Sequence, residues 1–428
     1  MHRADSRGKR TVIKPAESCR GLRVLLVATY PPPFGGIATH LTTLIPGLKQ
    51  RGAEDIAVLS FGDHDAVEQR DDFTLYRFNL KQAAKFLGPP SAWPVVAATL
   101  RALGGQSLGA KPLLLETLKA VLCDMVARQH DSRVVSFYAS EASLQLLPLA
   151  RHWGTRRRTV LTVFGEVYSE PAFMQRHRAL YAELFAQPHA VLSSSRHCAS
   201  SFASIGIQRT IEPVYYGVRL DGVTSAALRA QFRREHGLAE QDVVVLFVGR
   251  FSKEMGVDVL LRATPGILEA DPRIRIVIAG GKAELSAEAA AVAEQHVGRV
   301  IVIENLPLSQ QDALYSAGDM LVAPSFNQRA CMGMAIKEAM AATLPVIASV
   351  GGGVPEAVVD SETGFLIPLD ASGAVDVDAF SQAVLRLARD PQSRTRLGGA
   401  GRRRAESIFA YDVTNERMAT IFMSAMKS

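Results

Sequence analysis

Short apolar runs alternate with longer amphipathic segments along most of the chain. The run LRVLLVA at residues 22–28 is apolar apart from Arg23, which is typical of a parallel strand buried on both faces. A turn rich in proline and glycine follows, and a helix is predicted from there to about Lys49. Further strands are predicted at residues 54–60, 133–137, 159–163, 190–194, 243–248, 274–279, 300–303, 320–323 and 344–348. This alternation predicts a doubly wound α/β fold.

The predicted strands fall into two series that meet near residues 213–221. At 428 residues the chain is too long for a single hydrophobic core and suits two domains. No low-complexity linker separates the two series, so we expect two lobes that face a shared cleft. The predicted division is a basic, disordered leader over 1–20, an N-terminal domain over 21–215 and a C-terminal domain over 216–409.

Composition narrows the class of protein. Hydrophobic residues make up 48% of the chain and charged residues 21%, as in a soluble globular protein, and no apolar run reaches the ~18 residues of a membrane span. The net charge is +6, but no aromatic residues interleave with the arginine clusters at 156–158 and 402–404. We therefore expect no nucleic-acid partner, while peripheral contact with an anionic membrane stays open.

The cysteines and histidines give no sign of a metal centre. Cys19, Cys123, Cys198 and Cys331 have no paired spacing, which disfavours disulfide and metal frameworks and predicts a reducing cytoplasm. No D-x-D sequence or cluster of His and Cys ligands occurs in the turns of the predicted cleft, so we predict neither a metal nor a resident cofactor. His40 is the histidine that we expect nearest the cleft.

Candidate binding residues lie in the turns that follow the predicted strands, where open α/β sheets bind ligands. The loop at 331–334 opens a helix, and its backbone N–H groups suit an anion. Arg250 follows the strand at 243–248 and can donate two parallel bonds to a diphosphate, although a surface salt bridge explains a single arginine equally well. Glu338 can accept bonds from a ribose diol, or it can simply complement the helix dipole.

Two glycine turns carry a weaker signal. Gly35 and Gly36 follow the first predicted strand, and Gly249 directly follows the strand at 243–248. Glycine lets the backbone approach a phosphate closely, but any tight turn after a strand can also use it.

Together these segments resemble the family 4 retaining glycosyltransferases, which have the GT-B fold of two Rossmann-like domains facing a cleft. The segments that carry the resemblance are VLFVGRFSKEMGVDVLLRA, VIAGGKAEL, NLPLSQQDALYSAGDMLVAPS and EAMAATLPVIASVGGGVPEAVVDSETGFLIP. The resemblance spans about residues 22–428 and is weakest over 70–150. It implies that the N-terminal domain binds the acceptor, that the C-terminal domain binds a nucleotide-sugar donor, and that residues 410–428 cross back onto the N-terminal domain.

The resemblance also implies a set of donor-binding residues. In this family the base is held largely by backbone groups, which fall here near Asn305 and Leu306. The implied donor-binding set is Gly35, Gly36, Gly249, Arg250, Asn305, Leu306, Met332, Gly333, Met334 and Glu338.

Three positions depart from the family pattern. Ala330 stands where the family has the first glutamate of a pair, Met255 where it has a phosphate-binding lysine, and Phe164 where it often has a histidine. Glu166 could supply a replacement carboxylate, unless it is an exposed loop acid. Our catalytic candidates are Arg250, Lys253 and Glu166. On the sugar and acceptor side we place His40, Phe164, Arg329, Ala330 and Cys331.

The sequence thus predicts a retaining glycosyltransferase that moves a sugar from a nucleotide-diphosphate sugar to a small-molecule or glycan acceptor. The departures suggest an atypical donor or acceptor, such as a thiol, a thione or a secondary metabolite. Two alternatives stay open. One is a pseudo-glycosyltransferase that couples a nucleotide-activated cyclitol, and the other is a non-catalytic nucleotide-binding partner of another transferase.

Overall fold

The N-terminal end of the fold lies within the predicted leader. The computed structural model describes residues 18–31, 36–139, 143–328 and 331–428. Cys19 is fully buried among apolar side chains, and its backbone N–H donates to the carbonyl of Arg51 at 2.8 Å. The predicted leader over 1–20 is therefore wrong at its end, because residues 18–20 already belong to the packed domain. The rest of that leader, together with Gly35, Arg329 and Ala330, lies outside the described residues.

In the described part of the chain, eight strands form the first sheet, in the order β3-β4-β2-β1-β5-β6-β7-β8. Neighbouring strands are parallel except β3 and β4, which are antiparallel. The strands are β1 Arg23–Val27, β2 Asp55–Gly62, β3 Ala66–Gln69, β4 Thr74–Asn79, β5 Val134–Tyr138, β6 Arg158–Val163, β7 Ala190–Ser193 and β8 Glu212–Pro213.

Six strands of the described residues form the second sheet, which is parallel throughout and has the order β11-β10-β9-β12-β13-β14. The strands are β9 Val243–Val248, β10 Ile274–Gly280, β11 Val300–Glu304, β12 Met320–Ala323, β13 Val346–Ser349 and β14 Gly364–Ile367. The central strand β9 has the sequence VVVLFV, and its first five residues are buried. A continuous apolar run is what a strand covered by helices on both faces requires.

The helices that cover the sheets are α1 Gly36–Gln50, α2 Trp93–Leu103, α3 Ala110–Gln129, α4 Leu146–Trp153, α5 Glu166–Ser169, α6 Pro171–Arg176, α7 Arg178–Ala186, α8 Arg196–Ser201, α9 Ala226–Glu235, α10 Val257–Ala270, α11 Ser286–Gln295, α12 Gln311–Ala317, α13 Met334–Ala341, α14 Val354–Ala357, α15 Val377–Arg389, α16 Pro391–Arg404 and α17 Tyr411–Lys427.

The last helix, α17, belongs to the core of the first domain although it follows the second domain in the chain. Met418 and Phe422 of α17 are buried in the same cluster as Leu41 and Leu44 of α1. The side-chain amide of Asn415 donates to the carbonyl of Thr43 at 3.2 Å. This packing ties the end of the second domain to the first, so the two sheets approach each other with their carboxyl ends around one cleft.

Candidate active site

A cavity of about 1110 Å³ lies between the carboxyl ends of the two sheets. The first domain contributes Gly36, Ile37 and Thr39 from α1, Phe164 after β6 and Ser194 after β7. The second domain contributes the turns that follow β9, β10 and β11 and the loop that leads into α13. The residues of those turns and that loop are Gly249, Arg250, Gly280, Gly281, Asn305, Leu306, Cys331, Met332 and Gly333. The site therefore lies where parallel α/β sheets collect their ligands.

The loop before α13 presents the first turn of that helix to the cavity. Gly333 has φ +73°, a left-handed conformation that favours glycine, and α13 begins at the next residue, Met334. Cys331, Met332, Gly333 and Met334 all line the cavity. Because the first N–H groups of a helix have no partner within the helix, this end of the cavity suits an anion.

Arg250 lines the cavity, and its side chain is 64% exposed. Its nearest carboxylate is that of Glu254, at 3.6 Å, which is a loose surface pair that a bound anion could replace. Lys253, the other predicted cation, is not among the lining residues. Lys253 is exposed, and its backbone N–H donates to Glu284 Oε1 at 2.9 Å.

Glu338 of α13 is half-buried and borders the cavity. The hydroxyl of Tyr315 donates to Glu338 Oε2 at 2.7 Å, while burial raises the pKa of the Glu338 carboxyl. An acid that only complements a helix dipole would keep its carboxyl group exposed to solvent. The buried carboxyl group of Glu338 and its fixed partner Tyr315 fit a group that is held in place to accept hydrogen bonds from a ligand.

Sequence reasoning missed Lys337, which also lines the cavity. Its ammonium group is fully buried and donates to the carbonyl of Tyr216 at 2.7 Å, and burial lowers its pKa to about 8. The signal that could have revealed it is a lysine beside Glu338 in the stretch MAIKEAMA, whose other residues are apolar. Among the described residues of the wall, the charged ones are Arg250, Lys337 and Glu338. A wall with two cationic side chains and one carboxylate favours a negatively charged ligand.

Two of the three departures from the family pattern stand in this wall. Met255 and Phe164 both line the cavity, alongside Tyr216 and Met332. This part of the wall is therefore apolar where the resemblance led us to expect a lysine and a histidine. The third departure, Ala330, and its neighbour Arg329 lie outside the described residues.

Glu166 and His40 are buried behind the wall and do not line the cavity. Glu166 is 2% exposed, so its interpretation as an exposed loop acid is wrong, and its carboxylate accepts from the Phe164 N–H at 2.5 Å. His40 is 1% exposed and stacks on Tyr216 with ring centroids 4.0 Å apart. Neither ring nitrogen of His40 has a hydrogen-bond partner among the described residues. Both residues support side chains of the wall rather than form it.

His40 should make the fold sensitive to acid. Burial, assisted by the charge of Lys337, lowers the pKa of His40 to about 3, against 6.5 for the free side chain. Between those two values the unfolded chain binds a proton that the folded chain does not, so the free energy of unfolding should fall as the pH is lowered from 6.5. For each unit by which the pH is lowered, the free energy of unfolding of His40→Gln should fall by up to roughly 1.4 kcal/mol less than that of the parent protein.

Urea unfolding from pH 7.5 to 4.5 measures that difference. His64→Gln is the matched control, because His64 is exposed and lacks the burial that sets His40 apart. Parallel curves for the parent protein and His40→Gln would show that His40 is protonated in the folded state and is not held neutral by burial.

The described residues give little support for a metal centre or a membrane span. Within them, no group of three or more His, Cys, Asp or Glu side chains is placed to hold a metal ion. Nor does that part of the chain include a helix both long and apolar enough to cross a bilayer.

Comparisons with known sequences point to one enzyme family. Residues 229–404 match the family model described as "Glycosyl transferases group 1". The GDP-mannose-dependent alpha-(1-6)-phosphatidylinositol monomannoside mannosyltransferase of Mycolicibacterium smegmatis is 29% identical over 301 residues, which are 68% of this chain and 77% of that protein. The D-inositol 3-phosphate glycosyltransferase of Streptomyces avermitilis is 32% identical over 225 residues. That match covers 50% of this chain and about half (47%) of the relative.

Solved structures confirm the predicted fold. Sucrose-phosphate synthase from Thermosynechococcus elongatus superimposes with a TM-score of 0.69 at 20% identity, covering 94% of this chain and 98% of that one. The Anabaena protein HepE in complex with UDP superimposes with a TM-score of 0.68 at 18% identity, covering 94% of this chain and all of that one (100%). At these identities the likeness concerns the GT-B fold alone.

Proposed function

Since the chain belongs to the group 1 glycosyltransferases and has a GT-B fold, we propose that it transfers a sugar from a nucleoside-diphosphate sugar to an acceptor with retention of anomeric configuration. The observation that carries the proposal is the cavity between the domains. The amide end of α13, the guanidinium of Arg250 and the buried carboxylate of Glu338 border one space. These are the groups that a diphosphate and a ribose diol would require.

The proposed work of the protein is to position the donor and to stabilise charge on its leaving group. The N–H groups at residues 333–334 and the Arg250 side chain would bind the diphosphate, whose negative charge grows as the bond to the sugar breaks. Lys337 would act indirectly, because its bond to the Tyr216 carbonyl anchors α13 to the segment that joins the domains. The leaving diphosphate would assist removal of the acceptor proton on the same face of the sugar.

The apolar part of the wall supports an atypical sugar or acceptor. With Met255 and Phe164 in the cavity, two polar partners of a common hexose and its diphosphate are missing. An acceptor that is already nucleophilic, such as a thiol or thione, would depend less on a protein base. The names of the relatives add cyclitol phosphates and phosphatidylinositol mannosides as acceptors to be tested, and GDP-mannose as a donor.

Turnover with a panel of nucleotide sugars tests this proposal. GDP-, UDP- and ADP-sugars would be offered with thiol, cyclitol phosphate and glycolipid acceptors, and the anomeric configuration of each product would be assigned by NMR. The proposal expects at least one product with the donor's configuration. Transfer of a cyclitol but no sugar would favour the pseudo-glycosyltransferase, and nucleotide binding without turnover would favour the non-catalytic partner. An inverted product would overturn retention.

We further propose that the protein acts in the cytoplasm and contacts an anionic membrane through the exposed face of α2. Trp93 is 65% exposed and Leu100 is 51% exposed. They lie seven residues apart on one helix face, next to Arg101. No Asp or Glu occurs between residues 73 and 115, so this surface carries apolar and basic side chains without acidic ones nearby in sequence. Such a combination favours the interface of an anionic bilayer.

Vesicle flotation tests the membrane contact. The protein should float with vesicles that contain phosphatidylglycerol and stay behind with phosphatidylcholine alone. The double variant Trp93→Ala/Leu100→Ala should bind roughly tenfold more weakly, because two apolar anchors are removed. Val297→Ala is the matched control, since Val297 is 83% exposed but lies in the second domain. Equal binding of parent and double variant would rule out this face.

A further inference from the structure

Two cysteines from different domains meet beside the cavity. Cys198 on α8 is fully buried, and Cys331 in the loop before α13 is half-buried and lines the cavity. Both are free thiols, and their sulfur atoms lie 2.9 Å apart in a thiol hydrogen bond. They are separated by 133 positions in the chain, so their spacing in the sequence gave no sign of this contact.

Other interactions hold the two thiols opposite each other. The Glu356 carboxylate of the second domain accepts from the N–H groups of Arg196 and His197 at the start of α8, both at 2.8 Å. The ring Nε2 of His197 lies 2.9 Å from the carbonyl of Gln328. A Cβ added to Gly353 would lie 1.6 Å from the carbonyl oxygen of Cys331, so the backbones here touch closely. The pair is therefore preorganised by contacts that do not involve sulfur.

We propose that Cys198 and Cys331 are a modification site, at which a low-molecular-weight disulfide of the glutathione type oxidises the pair to a disulfide bond between the two domains. The bond would tie the loop before α13 to the first domain. Given the function proposed above, it would hold the cavity at one width and so hinder donor entry and product release, which depend on motion of the lobes in many enzymes.

The exchange would proceed in two displacements. The Cys331 thiolate attacks one sulfur of the external disulfide, forming a mixed disulfide and releasing one thiolate. The Cys198 thiolate then attacks the Cys331 sulfur, forms the bond between the domains and releases the second thiolate. In sum, two protein thiols are oxidised, the external disulfide is reduced to two thiols, and the two protein protons pass to those products.

The surroundings favour this order of attack. Cys331 is the more accessible thiol, and the hydrogen bond from Cys198 lowers its pKa, whereas that hydrogen bond together with burial raises the pKa of Cys198. The thiol with the lower pKa and better access reacts first with an external disulfide. Once Cys331 carries the mixed disulfide, Cys198 needs no access to solvent, since its target is already in contact.

Differential alkylation measures the bond independently of activity. The full chain would be equilibrated with graded mixtures of oxidised and reduced glutathione, its free thiols blocked, and the protected cysteines then reduced, labelled and located by peptide mass spectrometry. The proposal expects Cys198 and Cys331 to become protected together and to be recovered as one cross-linked peptide pair. Cys19 and Cys123 should stay alkylatable after unfolding. The proposal would be overturned if Cys331 carried only bound glutathione while Cys198 stayed a free thiol.

Activity and nucleotide binding would be followed in the same samples. Oxidation should lower turnover by roughly tenfold, with full recovery on addition of dithiothreitol. Cys198→Ser should keep its basal turnover and lose the response, while Cys123→Ser, the matched buried-cysteine control, should respond as the parent does. A cross-link that leaves turnover unchanged would overturn the proposal that the disulfide bond hinders donor entry and product release. If no nucleotide sugar reacts at all, the proposed function fails, but the cross-link is still decided by mass spectrometry.

Discussion

Replacing Arg250 with alanine is expected to weaken the binding of nucleoside diphosphates by about 2 kcal/mol, or roughly 30-fold, because a charged hydrogen bond to phosphate is lost. The side chain lines the cavity but is 64% exposed without a ligand. The substitution should therefore weaken nucleotide binding and hardly change the free energy of unfolding. Titration calorimetry with GDP, UDP and ADP gives the first quantity, and urea unfolding gives the second.

Arg262→Ala is the matched control for this variant. Arg262 forms an i,i+4 pair with Asp258 at 3.3 Å, much as Arg250 pairs with Glu254, but it does not line the cavity. Removing either surface pair should cost no more than about 1 kcal/mol of stability. The two variants should thus resemble each other in unfolding and differ in nucleotide affinity. Equal affinities would remove Arg250 from the donor site.

Glu338→Gln should raise the KM for the donor about tenfold and change kcat only slightly, because a hydroxyl-binding carboxylate that holds the ribose contributes equally to the ground and transition states. The substitution keeps the size of the side chain and a hydrogen bond with Tyr315. What it removes is the negative charge that can accept two bonds from a diol. Steady-state kinetics with the donor identified by the panel would separate KM from kcat.

The pH dependence of donor binding gives a second readout for Glu338. Burial raises the pKa of this carboxyl, and the Tyr315 hydroxyl opposes that shift. Donor affinity should decline as the pH falls through this raised pKa, because the protonated acid accepts fewer bonds. The decline should be absent in Glu338→Gln and should begin at higher pH in Tyr315→Phe. A collapse of kcat in Glu338→Gln with KM unchanged would instead assign Glu338 a role in the chemical step.

The apolar strands and the turns after them were predictable because they rest on local sequence. Buried parallel strands such as β9 are continuous apolar runs, β1 is apolar after its first residue, and the carboxyl ends of such strands must share one edge of a sheet. Arg250 and Gly333 could therefore be assigned to the cleft. The strand β4 was not predicted, since its sequence TLYRFN includes an arginine. In the fold Arg77 is buried and donates to the carbonyl of Tyr30 at 3.1 Å, a partner that sequence alone does not reveal.

The residues that sequence reasoning missed at the site depend on contacts between distant segments. Lys337 is buried because the carbonyl of Tyr216 lies opposite it, 121 positions away in the chain. Cys198 is significant only through Cys331, and both belong to an interface closed by Glu356. His40 and Glu166 were assigned to the right region, but helix α1 and the turn after β6 direct them into the core behind Tyr216 and Phe164.

The central claim is that the cavity between the domains binds the donor through the start of α13. A crystal structure of the protein with bound GDP or UDP, whichever stabilises it more against heat, tests this claim most directly. We expect the diphosphate within hydrogen-bond distance of the N–H groups of Gly333 and Met334 and of the Arg250 guanidinium, with the ribose hydroxyls on Glu338. A nucleotide bound elsewhere, or a diphosphate that contacts neither α13 nor Arg250, would contradict it.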